Sequence, residues 1–114
     1  MSIDRKDYYE KVYSVVEQIP SGKVTTYGAI AGYLGVASGA RMVGYALNNL
    51  ITHPDGERFP AHRVVNKQGE LTGRGYFQGD TMRERLQQEG IEFMDEFKLN
   101  IEKHFWDPNV ECKK

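Results

Sequence analysis

Between residues 27 and 50, two short stretches with helical apolar periodicity are joined only by Gly35-Val36-Ala37, and this juxtaposition restricts the fold more than any other feature of the chain. The first, Tyr27 to Leu34, opens behind Thr26, whose hydroxyl can cap a helix start, and stops at Gly35, which suits a left-handed C-cap. The second opens behind Ser38 as its expected cap. Its Val43, Ala46, Leu47 and Leu50 keep spacings of three, four and seven, which place side chains on one helical face. Two short helices this close together have the outline of a helix-turn-helix.

The flanking residues extend that outline. Asp4 is the expected cap of an earlier helix, with Asp7 in its first turn and Tyr9, Val12, Tyr13 and Val16 as its apolar face. Ile19-Pro20-Ser21-Gly22 ends it, and Val24-Thr25 is a short extended piece. Residues 51–60 read as a loop with a turn at His53-Pro54-Asp55-Gly56. Arg63-Val64-Val65 and Glu70-Leu71-Thr72 flank Asn66-Lys67-Gln68-Gly69 and read as a hairpin, the wing of a winged helix. A helix over about 79–89 closes at Gly90, and 91–106 looks irregular with short strands. The expectation is one domain over 1–108 and a flexible tail over 109–114.

Charge and cysteine content narrow the function. The net charge of −1 argues against non-specific, charge-driven nucleic-acid binding. Residues 41–85 nevertheless carry seven basic and five acidic side chains, which permits contact with a phosphate backbone. No apolar run reaches membrane-spanning length, and Met1-Ser2-Ile3-Asp4-Arg5 is too polar for a signal peptide. The single cysteine, Cys112, excludes an internal disulfide and suggests a reducing compartment. The expected location is cytoplasmic, on the nucleoid, or nuclear in a eukaryote.

Few residues suggest chemistry. Arg41 stands in the first turn of the second helix, where the helix dipole disfavours a cation; it is either a solvated surface arginine or one aimed into a DNA groove. Tyr27, between Thr26 and Gly28, is either a core tyrosine or one that approaches a phosphate closely. In Phe59-Pro60-Ala61-His62-Arg63-Val64-Val65, a histidine and an arginine follow a proline, but Ala61 offers no nucleophile for His62 to activate. His53, His62 and His104 have no ligand spacing for a metal. From the residues alone, the chain is a small winged helix that can bind DNA and has no visible reaction.

Five blocks taken in order carry a resemblance: "IPSGKVTTYGAIA" at 19–31, "ARMVG" at 40–44, "PAHRVV" at 60–65, a glycine-bearing hairpin, and "LQQEG" at 86–90. Together they resemble the DNA-binding domain of the O6-alkylguanine-DNA alkyltransferases over most of residues 8–90. The fold implied is mainly α with a small β hairpin, a winged helix-turn-helix of the C-terminal type found in that family. There a cysteine following the proline takes the alkyl group, activated through the histidine and a glutamate; here that position is Ala61. His62 and Glu89 then read as vestigial, kept for packing and hydrogen bonding. Leu50 replaces the asparagine usual in active enzymes, Arg74 follows the hairpin, and "EFKLNIEKHFWDP" at 96–108 resembles the tail of the alkyltransferase-like proteins. Those relatives lack the cysteine and commonly carry tryptophan there, and no separate N-terminal domain is expected ahead of the motif.

The resemblance implies lesion recognition without repair. The second helix enters the minor groove, with Thr26, Tyr27, Arg41 and Gly44 against the DNA. Tyr27 presses on the phosphate beside the damaged guanine, and Arg41 fills the vacated stack. Pro60, Ala61, Val64 and Arg74 form the pocket for the alkylated base, Arg74 through a cation–π contact. The implied partners are alkylated double-stranded DNA and nucleotide-excision-repair proteins, bound by a monomer that needs no metal or cofactor. Three other readings stay open: an alkyltransferase inactivated by a Cys-to-Ala replacement at position 61, a winged-helix transcription factor, and a structural interaction module.

Overall fold

Helix α1 (Arg5–Gln18) buries Tyr8, Val12, Val15 and Val16 completely or nearly so, with Ile19 just beyond its end. The structure, a computed structural model, describes residues 5–35, 39–50, 52–77 and 79–112. The expected caps Asp4 and Ser38, and the connecting Val36 and Ala37, lie outside them. The buried face of α1 is broader than the periodicity of Tyr9, Val12, Tyr13 and Val16 suggests. Tyr8 and Val15 are core residues, whereas Tyr9 is only half-buried. The cause is that α1 packs against two later helices rather than one. Each aliphatic side chain withdrawn in this way contributes about 1.5–3 kcal/mol, more than the roughly 1 kcal/mol of a typical helix cap.

Those helices are α2 (Tyr27–Leu34) and α3 (Gly39–Asn49). Thr26 caps α2 as expected: its hydroxyl accepts from the Ala29 amide at 3.0 Å. Gly35 ends α2 in the left-handed region, φ +78°, and its amide donates to the Ala31 carbonyl at 2.9 Å. Gly39 is needed where α3 meets α2. A Cβ there would stand 2.6 Å from the Ala31 Cβ and 2.8 Å from the Tyr8 hydroxyl. The Tyr13 hydroxyl ties α1 to α3, donating to the Ala46 carbonyl at 2.9 Å and accepting from Asn49 Nδ2 at 3.0 Å.

The strands do not pair as the sequence suggests. Strand β1 (Thr25–Thr26) pairs in parallel with β2 (Val64–Val65), in register Thr25 to Val64 and Thr26 to Val65. The expected partner of β2 within a local hairpin, Glu70-Leu71-Thr72, instead lies against the C-terminal part: Glu70 bridges Lys98, and the Leu71 amide donates to the Phe97 carbonyl at 2.9 Å. The small hairpin of the fold is β3 (Phe93–Asp95) with β4 (Lys98–Leu99). Helix α4 (Thr81–Gln88) closes at Glu89 and Gly90, the latter with φ +87°.

Two hydrophobic clusters result. One joins α1, α2, α3, Val64 and Trp106; the other gathers Val24, Val65, Leu71, Met82, Leu86, Ile91 and Leu99. The C-terminal segment seals the first. After helix α5 (Ile101–His104), the Trp106 amide donates to the Val24 carbonyl at 2.7 Å and its indole is buried. Residues expected to begin a flexible tail form helix α6 (Pro108–Glu111), capped by the Asp107 carboxylate and packed on α2. No helix among the described residues is long and apolar enough to cross a membrane.

Candidate nucleic-acid interface

The outward face of α3 presents Arg41. Arg58 pairs with Glu17, Arg63 with Glu89 and Arg85 with Glu57, while Arg74 and Arg83 lie over the rings of Phe97 and Phe93. Arg41 alone among the described arginine side chains has no such partner, and it is exposed in the turn where a cation opposes the helix dipole. One turn later, a Cβ added at Gly44 would meet no atom within 4 Å. Packing therefore does not require glycine there, and the backbone lies open to close approach.

Parallel pairing of β1 with β2 sets Tyr27 beside the Pro60–Val64 segment. Tyr27 is the first residue of α2, with its hydroxyl 3.5 Å from Thr72 Oγ1. Burial pushes the phenol upward, against a smaller opposing effect of the Thr72 hydrogen bond. It stays protonated at neutral pH and can donate to an oxyanion. Gly73 makes room for it: a Cβ there would stand 3.0 Å from the Tyr27 hydroxyl.

Behind Tyr27 opens a cavity of about 550 Å³. Leu47, Leu50, Phe59, Ala61, Val64 and Met82 supply apolar wall, Tyr76 and Phe77 aromatic wall, and Glu57 and Arg85 the charges. Of the four residues expected to form a lesion pocket, Ala61 and Val64 line this space. Pro60 and Arg74 do not. The Arg74 guanidinium lies 4.1 Å above the Phe97 ring and donates to the Leu71 carbonyl at 3.1 Å, because the β3–β4 hairpin offers it an aromatic face. The cation that does line the cavity is Arg85, stacked at 5.9 Å on Phe77. The sequence does not single out Tyr76, Phe77, Phe59 or Arg85; the adjacent aromatics Tyr76-Phe77 are a signal for those two alone.

Beside Ala61, one carboxylate organises the ring and the guanidinium. His62 Nε2 lies 2.8 Å from Glu89 Oε2, while Arg63 donates to Glu89 Oε1 at 3.0 Å, to Oε2 at 2.7 Å and to the Ile19 carbonyl at 2.7 Å. Burial holds the His62 imidazole below its ordinary value, and the neighbouring carboxylate only partly offsets this. Neutral His62 must then donate from Nε2 to the acceptor-only carboxylate, which leaves Nδ1 as the bare ring nitrogen. Burial alone would raise Glu89; the hydrogen bonds from Arg63 and His62 outweigh it and hold the carboxyl below its usual range. Cys112 takes no part. It accepts from Gln18 Nε2 at 3.1 Å and does not line the cavity.

A second helix turned outward with an unpaired cation, next to a cavity wide enough for a base, is the architecture of a helix-turn-helix domain of the DNA-alkyltransferase type. The chain matches the family described as 6-O-methylguanine DNA methyltransferase, DNA binding domain, over residues 7–91, and it belongs to that family. It is 42% identical over 107 residues to alkyltransferase-like protein 1 of Schizosaccharomyces pombe, covering 90% of this chain and 96% of the relative. It is 41% identical over 98 residues to a DNA base-flipping protein of Vibrio parahaemolyticus, covering 86% and 94%. Its fold is similar to the crystal structure of S. pombe Atl1 in complex with damaged DNA containing O6-carboxymethylguanine, with a TM-score of 0.78 and 39% identity over 95% of this chain and all of that one.

Proposed function

We propose that the protein binds O6-alkylguanine lesions in duplex DNA and holds the flipped base without transferring its alkyl group. The observation that supports this is the cavity itself, an aromatic-walled space lined by Ala61; the sequence resemblance puts the alkyl-accepting thiolate at that position, and an alanine methyl cannot take the group. Helix α3 enters the minor groove, with Gly44 allowing close approach and Arg41 filling the vacated stack. Tyr27 faces the phosphate beside the lesion, whereas Thr26, expected there too, is buried with its hydroxyl capping α2 and holds the helix start behind it. Extrusion costs a few kcal/mol and is cheapest at a weakened pair, so damage is favoured before any pocket contact forms. The pocket wall is assigned to Ala61 and Val64, with Arg85 as its cation in place of Arg74.

The likeness to alkyltransferase-like and base-flipping proteins supports this non-enzymatic reading. Handover of the bound lesion to nucleotide-excision-repair proteins completes the proposal, since the alkyl group leaves the site unchanged. One domain over 1–108 suffices for binding, as a monomer acting where the DNA is.

Titration of duplexes with and without a single O6-methylguanine, at one salt concentration, tests the reading; equal affinities reject it. The retained His62–Glu89 hydrogen bond favours a second reading, an alkyltransferase silenced only at position 61. Methyl transfer to Ala61→Cys, seen as added mass, would establish that alternative.

A further inference from the structure

Helix α3 carries an exposed stripe that the lesion pocket does not use. Steps of three, four and seven residues from Arg41 reach Gly44, Tyr45 and Asn48, which share one helical face. Tyr45 is 49% exposed and Asn48 is also exposed. Neither side chain makes a hydrogen bond, ion pair or ring contact among the described residues. The adjacent Asn49, by contrast, is committed to the Tyr13 hydroxyl. The fold has therefore left an aromatic ring and a carboxamide unspent in line with Arg41, the one unpaired arginine among the described side chains.

We propose that Asn48, with Tyr45 beside it, reads the base pair about three steps from the lesion, so that binding depends on flanking sequence as well as on damage. This rests on the minor-groove reading above. A helix rises about 1.5 Å per residue, so Asn48 lies about 10 Å along α3 from Arg41. That is about three base steps of 3.4 Å. On the minor-groove floor every pair shows acceptors, and the 2-amino group of guanine is the only donor. A carboxamide NH2 that donates to those acceptors cannot discriminate between pairs. The Asn48 oxygen can, by accepting from that amino group. Tyr45 packs against the sugar wall between the two readers, and the open space around Gly44 lets the backbone descend far enough for a short side chain to reach.

The test uses duplexes with one O6-methylguanine, in which guanine is replaced by inosine at each successive flanking position; inosine removes only the 2-amino group. Anisotropy titrations at fixed salt are expected to find one sensitive position, about three pairs from the lesion, where inosine weakens binding about fivefold, the effect of one hydrogen bond. In Asn48→Ala that difference disappears, whereas Tyr45→Ala weakens binding without regard to flank. A flat inosine profile, or a sensitive position that persists in Asn48→Ala, overturns the inference. The ratio of damaged to undamaged binding from the same titrations separates the two levels. A preserved ratio with a flat profile sinks only the flank reading, and a ratio of one sinks both.

Discussion

Arg63 holds Glu89 with both arms of its guanidinium, Nε to Oε1 at 3.0 Å and NH2 to Oε2 at 2.7 Å. Its remaining arm reaches the Ile19 carbonyl, so the contact joins the end of α1 to the end of α4 beneath the cavity. Arg63, Glu89 and the Ile19 carbonyl thus tie two segments that are distant in the chain.

Removing Arg63 leaves the largely buried Glu89 carboxylate with His62 as its remaining side-chain partner. Arg63→Ala is expected to lower stability by about 3–5 kcal/mol, read from urea denaturation midpoints. A loss below about 1 kcal/mol would make the pair incidental to the fold.

Acid should weaken the fold in two stages. His62 is held below its ordinary value near 6.5, so the unfolded chain takes up that proton first. Stability is then complete above that value and declines as pH falls beneath it. Glu89 is held below its ordinary 4.5, so its contribution is complete above that value and is lost as pH falls through the folded-state value. Denaturation midpoints across pH 8 to 4 check this, and His62→Gln should flatten the upper stage.

Arg41→Ala tests the unpaired cation. It touches no described partner, so folding stability should change by less than about 0.5 kcal/mol. Preference for O6-methylguanine duplexes over undamaged ones should largely vanish. An unchanged preference in gel-shift titrations would remove the finger role.

Ala61→Trp tests the cavity. The indole would fill cavity space that the Ala61 methyl leaves open, so affinity for bulky O6 adducts should fall relative to methyl. The native protein should accept both. A panel of adduct duplexes in which the native protein binds methyl and rejects larger groups would contradict the assigned role of Ala61.

Where structure is dictated locally, the sequence was legible. Helix α2 announces itself by a capping threonine and a left-handed glycine, and both act as expected. The turn at Asn66–Gly69 is equally local: Asn66 Oδ1 accepts from the Gln68 and Glu70 amides at 3.0 and 2.8 Å. What the turn could not reveal is the partner of the strand before it. Val64–Val65 pairs with Thr25–Thr26, and no nearby residue encodes that choice. The same limit hid the cavity wall. Ala61 stands out by motif, whereas Phe59, Tyr76, Phe77 and Arg85 converge only once two separate segments and α4 are packed. Arg74 misled for a related reason: a cation after a hairpin takes the nearest aromatic face, and here that face is Phe97.

The two-residue ladder between Thr25–Thr26 and Val64–Val65 also governs when the protein becomes competent. This contact spans α2 and α3, so it cannot form until the segment beyond α3 is present. A nascent chain released only as far as α3 displays Arg41 but has no cavity beside Tyr27. Under the proposed function, partly made or partly unfolded molecules lack the walls that retain an extruded base, and long residence on DNA is a property of the finished fold alone.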